Sequence, residues 1–117
     1  MLILFYLKLA IMSQNYSLHF FLKKPRNYQS GPKDIYMRIT VAGFVPKESS
    51  VGRMCEPKNW ISSANRAKGN SENGKTLNAY LDAIDLKVEQ AHTYLKKMGQ
   101  EISAETLMDK YLDKEEK

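Results

Sequence analysis

The chain has 117 residues, 43% of them apolar, and a net charge of +5 from 18 Lys or Arg against 13 Asp or Glu. That length builds one small domain with a modest core, too little for a second core or for the deep cleft of most enzymes. A lone cysteine, Cys55, excludes a disulfide framework and a cysteine-based zinc site and suits a reducing cytoplasm, while His19 and His92 are too few and too far apart to argue for a metal.

The charge is unevenly distributed. Residues 16–75 hold eleven basic side chains against four acidic ones, whereas residues 76–117 hold six against nine. A basic half of this kind suggests a polyanionic partner, nucleic acid or an anionic membrane; an unevenly charged solvated surface is the alternative.

In chain order, residues 1–15 come first as an apolar leader opening with MLILFYLKLAIM. It has neither the basic start nor the small-residue cleavage site of a secretory signal, and twelve residues fall short of the roughly 20 that span a bilayer. It reads as a translation start placed upstream of the true one at Met12, as a packing helix, or as an amphipathic membrane-surface helix.

The domain proper is expected over residues 16–100. In YSLHFFLKK, Tyr16, Leu18, Phe20 and Leu22 alternate with Ser17, His19, Phe21 and Lys23, the period of a first strand with one apolar face. PRNYQSGPK is a turn-rich connection. In IYMRITV, Ile35, Met37, Ile39 and Val41 alternate with Tyr36, Arg38 and Thr40, which makes a second strand. Ala42-Gly43 then turns the chain into a third strand over residues 44–51, antiparallel to the second and placed at an edge or bulged by Pro46.

Residues 56–60, EPKNW, read as a tight turn that returns Trp60 to the core, followed by a polar, mobile loop whose Arg66, Lys68 and Lys75 are either solvated or available to phosphate. Leu77, Leu81, Ile84, Val88, Ala91, Leu95 and Met98 recur at steps of four and three, one stripe of a long helix stopped by Gly99. That stripe is assigned to the sheet, which cannot bury its apolar face alone; its heptad spacing also permits weak self-association through a coiled-coil seam. A short helix capped by Ser103 buries Leu107, Met108, Tyr111 and Leu112, and residues 101–117 end in the solvated tail DKEEK. The fold class is α+β, a three-stranded antiparallel sheet on one long helix with a short terminal helix.

With the helix on one face, the other face of the sheet carries Ser17, His19, Phe21 and Lys23 beside Tyr36, Arg38 and Thr40. A one-layer sheet must leave some polar face to water. The same mixture of cations, aromatics and hydroxyls also suits the roughly 12 Å wide major groove of duplex DNA.

The pieces FFLKK, IYMRITVAG, SSVG, PKNW, NRAKGNSENGK and the helix LNAYLDAIDLKVEQAHTYL, followed by EISAETLMDKYL, resemble the N-terminal arm-type DNA-binding domain of tyrosine recombinases, the integrases of phages and conjugative elements, in the form met in Bacteroides-type bacteria. The resemblance covers about residues 16–112, and IYMRIT, PKNW and the start of the long helix carry most of it. It implies that the sheet binds double-stranded DNA at arm sites of a mobile element, with Arg38, Tyr36, Thr40, His19, Phe21 and Lys23 toward bases and Lys24, Arg26, Lys33, Lys47, Arg53, Lys58 and Lys68 toward phosphates. Family members tend to carry Thr and an apolar residue around SVGR, where this chain has Val51 and Arg53. An integrase continues into a core-binding and a catalytic domain with an Arg, His-x-x-Arg and Tyr constellation; this chain stops at Lys117, and the expectation is a non-catalytic cytoplasmic arm module, a truncated integrase or a fragment of one, without metal or cofactor. No Cys-His pair, acid dyad or phosphate-binding glycine loop can be assembled from the sequence, so an enzyme is not expected.

Overall fold

A computed structural model describes residues 15–113. The elements run β1 (Tyr16–Lys23), β2 (Lys33–Val41), β3 (Lys47–Cys55), a short 3-10 turn (Pro57–Asn59), β4 (Trp60–Ile61), β5 (Arg66–Ala67), α1 (Glu72–Lys97) and α2 (Ala104–Leu112). The first three strands form an antiparallel sheet in the order β1-β2-β3, and β4 and β5 form a separate antiparallel pair. With one long and one short helix, this is the expected α+β fold.

The chain forms two compact units, to both of which β1, β2, β3 and α1 contribute. One unit comprises residues 18–38 and 48–87. Its core is Phe20 of β1, Ile35 and Met37 of β2, Val51 and Cys55 of β3, Ala67 of β5, and Leu81 and Ile84 of α1. The period of two sorts β2 cleanly: Ile35 and Met37 are wholly buried while Tyr36 and Arg38, each one residue on, are only half-buried. The Tyr80 hydroxyl donates to the Val51 carbonyl at 2.8 Å, tying α1 to β3.

The other unit gathers residues 39–47 with the described parts of 1–17 and 88–117. Ile39, Val41, Val88, Ala91, Leu95, Ala104, Leu107 and Met108 are buried in it. At the end of α1 the Gln100 N–H donates to the Leu95 carbonyl and the Gly99 N–H to that of Lys96, with Gly99 at φ +69°, a left-handed stop that glycine adopts without a steric cost. Ser103 caps α2: its hydroxyl accepts from the Thr106 N–H at 3.0 Å, and the Thr106 hydroxyl accepts from the Ser103 N–H at 2.9 Å.

Several expectations need correction. The third strand starts at Lys47 rather than at Phe44, because the Phe44 N–H closes a turn onto the Val41 carbonyl and Pro46 cannot join a ladder; Phe44 and Val45 are exposed. Trp60 is half-buried, and its pairing partner Ala67 takes the core position. The expected polar loop is structured by β4, β5 and an earlier helix start. The Asn78 side chain accepts from the Ala67 N–H and donates to the Ala67 carbonyl, both at 2.9 Å, and so mimics a neighbouring strand. Helix α1 opens at Glu72 instead of Leu77, with the Ser71 hydroxyl accepting from the Gly74 N–H. Met98, beyond the last turn, and Leu112, at the end of α2, are exposed. The readings of the first fourteen residues and of the final four lie outside the described residues. No helix among the described residues is long and apolar enough to cross a membrane.

Candidate nucleic-acid interface

The outer face of β1 and β2 gathers five of the side chains singled out from the sequence. Because neighbouring strands bring alternate residues side by side, Phe21 of β1 meets both Tyr36 and Arg38 of β2. The His19 and Phe21 rings stack at 5.8 Å, and Phe21 and Tyr36 lie tilted at 6.2 Å. Each cation rests on a ring: the Arg38 guanidinium lies 4.7 Å from the Phe21 centroid and the Lys23 ammonium 4.6 Å from that of Tyr36. Phe21, unexpected on a polar face, is thus the platform under Arg38. Thr40 follows two residues beyond Arg38 on β2 and is half-buried.

Both cations converge on a residue that sequence reasoning did not single out. Arg38 donates from Nε and Nη2 to Glu48 Oε2 at 2.8 and 2.7 Å, and Lys23 Nζ donates to Oε1 at 3.3 Å. These donors, Arg38 above all and Lys23 after it, hold the Glu48 carboxyl below its ordinary range against a smaller opposing effect of burial. The bond to Glu48 occupies the side edge of the guanidinium, leaving the outer Nη1 and Nη2 hydrogens at its end edge. Alternation along β3 contained the signal for Glu48, but with the strand's start misplaced its face could not be assigned.

The residues expected at phosphates are scattered more widely. Lys24 and Arg26 are exposed in the β1–β2 connection and have no ion pair among the described residues. Lys33 lies over the Tyr28 ring at 5.3 Å. Lys47 is exposed at the start of β3, and Lys58 in the Pro57–Asn59 turn. Arg53 lies two residues from each of the buried Val51 and Cys55 and so shares their side of β3, opposite Glu48, where it stacks at 3.9 Å on Tyr80 of α1. With the exposed Lys68 it lines a cavity of about 430 Å³ near the start of α1.

Arg66 is committed elsewhere. It donates to Asp82 at 2.9 and 3.1 Å and reaches Asp85 at 3.5 Å, with its guanidinium over Phe20. A second cleft, about 330 Å³, lies between His19 and Phe21 on one side and Pro57 and Trp60 on the other, with Lys33 at its wall. Burial pushes the Cys55 thiol up, with the Glu56 charge adding to the effect, which disfavours a reactive thiolate. Among the described residues no group of His, Cys, Asp and Glu could hold a metal ion.

Residues 20–108 match a protein family described as the Arm DNA-binding domain. No curated protein and no solved structure matches the chain. The match takes in β1 from Phe20 onward, β2 to β5, α1, and α2 as far as Met108. The chain belongs to the Arm DNA-binding domain family and is, in that domain, a non-catalytic DNA-binding module.

Proposed function

We propose that the outer face of β1 and β2 enters the major groove of double-stranded DNA, and that the chain acts as the arm-site-binding module of a tyrosine-recombinase-type integrase encoded by a mobile element. The observation carrying this reading is the Arg38 guanidinium, seated on Phe21 and clasped along one edge by Glu48. A guanidinium fixed in this way offers its end edge to the O6 and N7 acceptors of guanine, the pairing that arginine makes most often in the major groove. Tyr36, His19 and Thr40 supply further donors and acceptors, and Lys23 and Phe21 supply charge and apolar contact beside them. Lys24, Arg26 and Lys33 lie at the ends of β1 and β2, where a groove-bound sheet meets the phosphate rims, with Lys47, Lys58 and Lys68 as outlying phosphate contacts, while Arg53 lies on the far side of β3 against Tyr80.

The two kinds of contact fail differently. On duplexes enriched from a random library by the wild-type protein, Arg38→Ala should cost about 1 to 3 kcal/mol, with little change on unselected duplex. Lys24→Ala should weaken both alike and lower the slope of log affinity against log salt by about one. Titrations of the folded variants on the two pools test this, and an Arg38→Ala protein that keeps its preference would remove the sheet face as the reading surface.

A further inference from the structure

The carboxylate of Glu48 sits where electrostatics alone would not put it. It accepts from both Arg38 and Lys23, and so partly neutralises two cations of a face proposed to meet a polyanion. Stability does not account for it. The side chains of Arg38 and Lys23 are 42% and 51% exposed and that of Glu48 is 31% exposed, and ion pairs this open to water contribute little to folding. What the contact does impose is geometry. With the Phe21 ring beneath the guanidinium and Glu48 along its Nε and Nη2 edge, Arg38 is held by stacking in one direction and by paired hydrogen bonds in another.

Without Glu48, a long arginine on an exposed strand would recover its rotamer freedom and could swing to any nearby phosphate. Such a contact carries no sequence information. The same loss would free the Lys23 ammonium for non-specific contacts. Asp34 makes a useful contrast: it lies on the same side of β2 as Tyr36 and Arg38, yet it has no ion pair among the described residues.

We propose that Glu48 is the specificity-determining positioning residue of this interface, holding Arg38 in its base-reading pose and keeping Arg38 and Lys23 from indiscriminate phosphate binding. This rests on the reading of the sheet face given above. It makes Glu48 a residue that lowers total affinity for DNA and raises the ratio of specific to non-specific binding.

The test compares wild type, Glu48→Gln, Asp34→Asn, Arg38→Ala and the Glu48→Gln/Arg38→Ala double variant on wild-type-enriched and unselected duplex pools, with thermal melts to establish folding. Glu48→Gln and Asp34→Asn raise the net charge equally, so a purely electrostatic role predicts the same behaviour from both. Glu48→Gln should bind unselected duplex several-fold more tightly, with a steeper salt slope, and its preference for the enriched pool should fall about five- to tenfold, within the range of one lost bidentate base contact. Asp34→Asn should keep the preference, and Glu48→Gln should cost less of it in the Arg38→Ala background than in the wild type, because only the release of Lys23 then remains. If Arg38→Ala loses the preference while Glu48→Gln keeps it, or if Asp34→Asn loses as much as Glu48→Gln, the positioning role is overturned and the sheet-face reading stands. A wild type that enriches no sequence, or an Arg38→Ala protein as selective as wild type, overturns the sheet-face reading and this inference with it.

Discussion

Single side chains on the outer face work in linked sets. Phe21 stacks with His19, meets Tyr36 at a tilt and lies beneath Arg38, and Glu48 gathers Arg38 and Lys23. The Glu48 carboxyl has a dependence on pH with a definite sign. Its folded-state pKa lies below that of a free glutamate, so its contribution to stability is complete above the ordinary carboxylate range, about 4.3, and is lost as pH falls through the depressed value. For a surface pair the contribution is small, about 0 to 1 kcal/mol. The stability difference between wild type and Glu48→Gln should therefore be constant near neutral pH and close on acidification. Thermal melts of the two proteins over that range check it, and a difference that widened in acid would show that Glu48 is not stabilised as a carboxylate by Arg38.

Among the elements, the long helix is held by its buried stripe and by its start. Leu81 is fully buried and Ile84 nearly so within the single chain. Leu81→Ala should cost about 2 to 5 kcal/mol, a large part of the stability of a domain this size. Gly74, in the first turn of α1, is the opposite case: alanine there should gain up to about 1 kcal/mol in helix propensity. A Cβ at that position would, however, collide with the Lys68 backbone carbonyl, so Gly74→Ala should lower the melting temperature. Chemical and thermal unfolding of the two variants test both statements; an unchanged or raised melting point for Gly74→Ala would show that the loop before α1 yields freely. The stripe from Leu81 to Leu95, the Gly99 stop and the Ser103 cap were legible because periodicity and capping are local. The start of α1 was not, since the Asn78 contact with Ala67 and the close approach of Gly74 to Lys68 join segments that only the fold brings together. Trp60 illustrates the same limit: its size suggested the core, but its pairing in β4 gives the buried place to Ala67.

At the scale of the whole molecule, the basic excess of residues 16–75 coincides with the strands and their connections, whereas α1 is balanced, with four acidic residues and four basic ones. Charge narrowed the partner to nucleic acid or an anionic membrane, with an uneven solvated surface as the alternative, and the resemblance to arm-type domains selected DNA. What the sequence could not assign was how the cations divide, because Arg66 is committed to Asp82 and Asp85 and Arg53 to Tyr80 by contacts distant in the chain. The central claim is that Arg38 reads a base in the major groove, and guanine N7 lies only in that groove. Methylation interference on a wild-type-enriched duplex tests this most directly. Methylation at N7 of a particular guanine should abolish binding by the wild-type protein, and Arg38→Ala should lose its sensitivity to that same methyl group while remaining folded. Wild-type binding indifferent to N7 methylation throughout the site, or an Arg38→Ala protein with the wild-type interference pattern, would contradict the account.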